Sequence, residues 1–220
     1  MAPEAGRRSP WSRALVGALV AVALGFAGAP LARANSMTAP QALPRPDLLA
    51  RALRAFHRVE LLGVVHNRLL TVIDYSLPSS LRRLWVIDPD SLRVIAHEFV
   101  AHGRGSQDRE DPARAVRFGN DPESHRTSLG TFLTRGTYTG KHGHSLELEG
   151  LDPGLNDLAR ARRIVIHPAD YVGEAFRART GGWVGRSFGC PALDPKVAGD
   201  VIDRIQDGSV LFADATDRGN

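Results

Sequence analysis

Ile164-Val165-Ile166-His167 is a run of β-branched residues closed by a histidine. Gly181-Gly182-Trp183-Val184-Gly185-Arg186-Ser187-Phe188-Gly189-Cys190-Pro191 is a glycine-punctuated turn that ends on the chain's single cysteine. Val and Ile are stiff at χ1 and suit a pleated sheet, so the first segment predicts a buried strand. The glycines and proline of the second predict tight turns. The same pattern continues in both directions. Strands are expected at Leu69–Tyr75, Leu84–Asp88, Leu92–His102, Leu129–Tyr138, Ser145–Glu149, Arg163–His167 and Ser209–Ala213, separated by turn signals such as Asp88-Pro89-Asp90. The fold is therefore expected to be mainly β, in the α+β class.

A few peripheral helices complete it. Asp47 is placed to cap a helix to about Arg58, because Leu48, Leu49, Ala52, Leu53 and Phe56 recur at helical spacing. Shorter helices are expected at Leu155–Arg162 and Pro195–Gln206, the second capped by Asp194 with Pro195 at its first position. Residues 35–46 are rich in Pro, Ala and polar side chains and read as a linker, leaving residues 47–220 as the folded domain. Gly103–Arg126 is polar and too long for a passive connection, so it is expected either to cover a site or to be a surface insertion.

Residues 1–34 have the layout of an export signal: Arg7, Arg8 and Arg13, an uncharged stretch from Ala14 to Ala29, then small residues ending in Ala32-Arg33-Ala34. The apolar stretch is short of the roughly 20 residues a membrane span needs. Cleavage after Ala34, with no membrane span left, is the expectation, and the product is placed in the periplasm or cell wall. Removing Arg7, Arg8, Arg13, Arg33 and Glu4 lowers the formal charge from +4 to +1, so the high pI is no argument for a nucleic-acid partner.

One cysteine excludes a disulfide framework within the chain. An unpaired thiol in an oxidising compartment is a liability unless its chemistry is used. A thiol with pKa near 8.5 needs a base or cation beside it to act as a nucleophile. His167, fixed at the end of an apolar strand, is the candidate base. Gly185 and Gly189 are expected to let the backbone approach a substrate, with amide groups converging as an oxyanion hole needs. A buried structural cysteine with a core histidine is the other account of the same spacing.

The run His167-Pro168-Ala169-Asp170-Tyr171 followed by Arg186-Ser187-Phe188-Gly189-Cys190-Pro191 resembles the His and Ser-x-Gly-Cys signature of the YkuD-type murein L,D-transpeptidases. Agreement with the "murein L,D-transpeptidase catalytic domain" branch extends to Val72-Ile73-Asp74-Tyr75, His102-Gly103 with Ser106, Ser128-Leu129-Gly130, Tyr138-Thr139-Gly140-Lys141-His142-Gly143 and Leu151-Asp152-Pro153-Gly154-Leu155-Asn156. It spans about Leu69 to Phe212. The resemblance implies a β-sandwich catalytic domain and attack by Cys190 on a peptidoglycan stem peptide. The D-residue leaves, and the thioester passes to an amine, giving a 3→3 cross-link or D-amino-acid exchange. Water as acceptor would make the protein an L,D-carboxypeptidase. The resemblance implies no cofactor and no metal, and marks the domain as a carbapenem target. It also implies that the carbonyl after the histidine, here that of Pro168, orients the ring.

Phe188 stands where the better-studied branch has a second histidine, and Phe188 cannot donate a hydrogen bond. Oxyanion stabilisation is then expected from backbone N–H groups near Gly189 and Cys190. Ser187 is expected to brace the turn, Arg186 to meet a stem-peptide carboxylate, and Tyr171 and His102 to line the cleft. The rivals are a non-enzymatic wall-binding module and a zinc-dependent murein peptidase using His102 and Asp108 with His142 or His144. No His-Glu-x-x-His or Cys-x-x-Cys is present. Strand alternation sets His97 and His102 on opposite faces.

Overall fold

The computed structural model describes residues 42–216. Strand β1, Leu70–Asp74, is buried along its whole length. Its side chains alternate between two cores. Leu70 and Val72 pack with Leu48, Phe56 and Val59 of helix α1, Pro46–Glu60; Ile73 packs in the core that holds Val201, Ile202 and Ile205 of helix α3, Pro195–Ile205. A strand covered on both faces needs a nearly continuous apolar sequence, as Leu70-Thr71-Val72-Ile73 provides.

The other strands are β2 (Leu84–Ile87), β3 (Val94–Glu98), β4 (His102–Gly103), β5 (Gly130–Gly140), β6 (Gly143–Gly150), β7 (Val165–Pro168), β8 (Arg186–Ser187), β9 (Ala192–Leu193) and β10 (Val210–Asp214). Eight form one ladder in the order β3-β2-β1-β10-β5-β6-β7-β9, and β4 pairs with β8 in a separate two-stranded ribbon. The pairs β1–β10, β7–β9 and β4–β8 are parallel. A short helix α2, Glu174–Arg179, sits between β7 and β8. The domain is mainly β with few helices, as expected.

Local details differ from the sequence expectation for physical reasons. Helix α1 starts at Pro46, with Arg45 as the capping position and no side-chain cap; the fixed φ of Pro46 starts the helix, and Asp47 lies inside its first turn, salt-bridged to Arg51 at 2.8 Å. The strand expected at Leu92–His102 breaks after Glu98, because the Ala101 amide pairs with the Ala192 carbonyl and the Val100 carbonyl accepts from Arg83. The expected helix at Leu155–Arg162 is a chain of turns. Asn156 is drawn away to the Thr131 carbonyl at 2.9 Å, and Arg163 takes a positive φ of 55°. Asp194 caps α3 as expected, accepting from the Lys196 amide at 3.0 Å.

The export signal expected over residues 1–34 and most of the 35–46 linker lie outside the described residues. The linker's last residues are docked on the domain: the Trp85 indole donates to the Ala42 carbonyl at 2.9 Å, and Arg45 ion-pairs with buried Asp74 at 2.9 Å. No helix among the described residues is long and apolar enough to cross a membrane.

Candidate active site

Strands β7 and β9 run parallel, with His167 opposite Ala192 and Pro168 opposite Leu193. Cys190 lies two residues before Ala192 and Val165 two before His167, so the same register carries Cys190 back beside Val165. The Val165 amide donates to Cys190 Sγ at 3.5 Å, and the thiol donates to the Arg163 carbonyl at 3.7 Å. His167 projects from the same strand face as Val165, one pleat repeat (about 7 Å) further along. The register thus gathers the two residues on which the sequence argument turned, and Cys190 is half-buried rather than sealed in the core.

His167 is 3% exposed, and its Nδ1 lies 2.9 Å from the Pro168 carbonyl. A carbonyl only accepts, so Nδ1 carries the proton and Nε2 is the basic nitrogen. Burial pushes the His167 pKa down; the Pro168 carbonyl opposes this, and His142 adds to it. The His142 ring sits at the tip of the β5–β6 hairpin with its centroid 4.5 Å from that of His167. Burial pushes the Cys190 thiol up, against the Val165 amide, Arg162 and Lys141. Both shifts favour the neutral forms, thiol and imidazole.

The turn that carries the sulfur is built around Ser187. Its hydroxyl donates to the Cys190 carbonyl at 2.6 Å and accepts from the Gly189 amide at 3.1 Å. Gly189 has φ +121°, and a Cβ there would lie 2.8 Å from the Arg126 carbonyl. Gly185 was expected to admit a substrate. Instead it admits Tyr171: a Cβ would fall 2.6 Å from the tyrosine Cβ, and the Gly185 amide donates to the Tyr171 carbonyl at 2.6 Å. The Gly189 amide is occupied by Ser187 and is not free to meet a substrate.

Two open cavities are lined by residues adjoining Cys190 or His167 rather than by those two themselves. One, of about 400 Å³, is lined by Tyr138, Glu147, Arg160 and Arg163 with Ile164 and Val165, the thiol's neighbours. The other, of about 450 Å³, lies beside His167 and is lined by Lys141, His142, Pro168 and Tyr171. Burial, then proximity to Cys190, pushes the Tyr171 hydroxyl pKa up. Arg186 contacts Gln107 and lies over the Trp183 ring at 5.4 Å, joining the 103–126 segment to the turn that carries Cys190. Phe188 is 60% exposed, flanked by Arg104 at 4.5 Å and His125 at 4.6 Å.

His102 does not line a cleft. It is fully buried in the β4–β8 ribbon, opposite Arg186, and its Nδ1 accepts from Arg83 at 2.9 Å. His144 pairs instead with Asp203 at 2.8 Å, and no group of three or more metal-ligating side chains gathers among the described residues. The ligand set of the zinc rival is therefore dispersed.

Sequence reasoning missed Arg162. Its Nη1 donates to the Gly119 carbonyl at 3.1 Å and to Ser128 Oγ at 2.6 Å, and its Nη2 donates to the Arg126 carbonyl at 2.6 Å. It is the last residue of the helix expected at Leu155–Arg162, with Arg160 and Arg163 beside it, and nothing in its spacing sets it apart.

The parallel β7–β9 pair thus sets a strand-end histidine and a turn cysteine on neighbouring strands of an α+β domain. The family model described as the L,D-transpeptidase catalytic domain (YkuD_2) matches residues 41–213, and the chain belongs to that family, a class of enzymes. Among solved structures the chain is similar to an L,D-transpeptidase from Mycobacterium smegmatis, with 15% identity, TM-score 0.39, and coverage of 67% of this chain and 59% of that one. It is also similar to Mycobacterium tuberculosis L,D-transpeptidase 1, with 12% identity, TM-score 0.38, and coverage of 68% and 62%. A third is the LD transpeptidase LdtMt1 in complex with imipenem, with 14% identity, TM-score 0.40, and coverage of 67% and 59%. The chain spans about three fifths of the length of these structures. No curated protein matches it.

Proposed function

We propose that this protein is an exported, cysteine-dependent L,D-transpeptidase that acts on peptidoglycan stem peptides through a Cys190 thioester. The observation that carries this is the parallel β7–β9 register, which brings Cys190 alongside the strand of a histidine whose Nδ1 is fixed by Pro168. The thiol turns from the Arg163 carbonyl toward Nε2, gives up its proton there, and adds to the scissile carbonyl carbon. The tetrahedral oxyanion is held by the Cys190 amide. As the C–N bond breaks, the imidazolium returns the proton to the departing D-amino acid, and Cys190 keeps the acyl group as a thioester. An amine of a second stem or a free D-amino acid then gives its proton to His167 and takes the acyl group; water in its place gives the carboxypeptidase outcome.

Burial favours the neutral form of both groups, and in this reading proton transfer belongs to the attack itself rather than to a preformed ion pair. The test is covalent trapping. Incubated with a carbapenem, the protein is expected to gain the mass of one intact drug, on Cys190. The adduct should be absent in Cys190→Ala and slowed at least 100-fold in His167→Gln, in line with loss of a general base. A protein that gains no adduct and turns over no tetrapeptide stem would refute the assignment.

A further inference from the structure

Arg162 is a half-buried cation whose hydrogen bonds all go to neutral acceptors: the Gly119 carbonyl, Ser128 Oγ and the Arg126 carbonyl. Among the described residues it forms no ion pair. Withdrawing a guanidinium from water without a counter-charge is costly, so its retention asks for an anion at some stage of the protein's work. The position of the group suggests which one. A Cβ on Gly189 would lie 3.2 Å from Arg162 Nη2 and 2.8 Å from the Arg126 carbonyl, so the guanidinium packs on the backbone immediately before Cys190.

We infer that Arg162 is a positioning residue that supplies the counter-charge for the Cys190 thiolate and pins the 103–126 segment against the nucleophile turn. The inference rests on the thioester reading for its catalytic meaning, but the thiol's own ionisation tests it independently. Two of the three anchors, Gly119 and Arg126, belong to that segment or close on its end, so the long connection is tied to the nucleophile through this one side chain. At rest the charge has no ion-pair contact among the described residues, and it gains a partner when Sγ ionises. That ordering favours the charged nucleophile over the neutral one, as differential stabilisation requires. Lys141 on the β5–β6 hairpin also acts on the sulfur, the thiol in turn acts on Tyr171 and buried Tyr75, and His167 lies on the neighbouring strand β7. Asp121, on the segment itself, is the carboxylate that Arg162 senses besides the thiol.

The experiment is the pH dependence of iodoacetamide alkylation of Cys190 in the mature protein, with folding checked by circular dichroism. Arg162→Gln is expected to raise the alkylation midpoint by about one pH unit, the scale of an opposite charge removed from a few ångströms away. Arg162→Lys, which keeps the charge, should stay within about half a unit of wild type, while Lys141→Gln reports how much of any shift is general electrostatics. A Gln midpoint that coincides with wild type overturns the inference. If Arg162→Gln does not fold, the Lys variant decides: a rise of a full unit with the charge retained would also overturn it. Because alkylation needs no peptidoglycan, a protein that fails the carbapenem test can still pass this one, and the two failures are separable.

Discussion

Ser187 and Cys190 are locked together: the serine hydroxyl donates to the cysteine carbonyl at 2.6 Å while accepting the Gly189 amide at 3.1 Å. One hydroxyl therefore fixes both peptide groups that set where the sulfur points. Ser187→Ala leaves a buried donor and a buried acceptor unpaired, which costs about 1–3 kcal/mol. Carbapenem acylation is expected to slow about tenfold as the turn loosens, the equivalent of about 1.4 kcal/mol in the barrier. Ser187→Thr retains the hydroxyl and should lose far less. Equal acylation rates in wild type and the alanine variant would contradict the bracing role.

Gly189 is required for two reasons at once, its φ of +121° and the Arg126 carbonyl 2.8 Å from where a Cβ would sit. Gly189→Ala should cost at least about 2–3 kcal/mol in urea unfolding and abolish adduct formation. Gly136 in β5 provides the contrast, since nothing lies within 4 Å of its would-be Cβ and its φ is not in the positive range. Gly136→Ala is expected to be neutral or to stabilise by about 0.4–1 kcal/mol. Similar losses in both variants would mean that the Gly189 geometry is not the cause.

His142 packs its ring 4.5 Å from His167 and, with burial as the larger cause, holds that imidazole below its usual pKa. His142→Ala removes a like charge and opens the ring to water, and both changes raise the His167 pKa. The acidic limb of the acylation rate, which follows deprotonation of His167, should therefore move to higher pH in the variant. Stopped-flow acylation between pH 4.5 and 8 measures it. A limb that stays in place, or moves the other way, would show that the hairpin tip does not tune the base.

The strands and helix α3 with its Asp194 cap were legible because each rests on local patterning, β-branched runs and a Pro after an Asx cap, and Cys190 and His167 stood out as candidates through a lone thiol after glycines and a histidine closing an apolar strand. What was not legible depends on partners distant in sequence. Asp152 and Asn156 looked like part of an expected helix or motif, yet they serve to clamp Thr131, whose amide donates to Asp152 at 2.7 Å and whose carbonyl accepts from Asn156 at 2.9 Å. Gly185 is a glycine because Tyr171 occupies the space beside it. The alternation expected through Leu92–His102 ends at Glu98, and the break carries His102 into the β4–β8 ribbon and away from any cleft. Arg162 has no local signature at all; only the folded loop reveals that its guanidinium meets three carbonyl or hydroxyl oxygens.

His102 also makes a prediction about acid sensitivity. Burial, followed by Arg83 and Arg186, pushes its pKa down to about 3. Its Nδ1 accepts from Arg83, so the neutral ring carries its proton on Nε2, a buried atom with no hydrogen-bond partner. An unfolded histidine titrates near 6.5, so between about pH 3 and 6.5 the unfolded chain binds the extra proton and the folded one does not. The stability this ring contributes is therefore complete above about pH 6.5 and drains away as the pH falls toward 3, at no more than about 1.4 kcal/mol per unit. His167, also depressed, adds a change of the same sign in wild type and variant alike. Urea unfolding at pH 7, 6 and 5 should show a steep decline in wild type and a shallower one in His102→Gln, whose amide oxygen can still accept from Arg83. Parallel declines in the two proteins would place the acid sensitivity elsewhere.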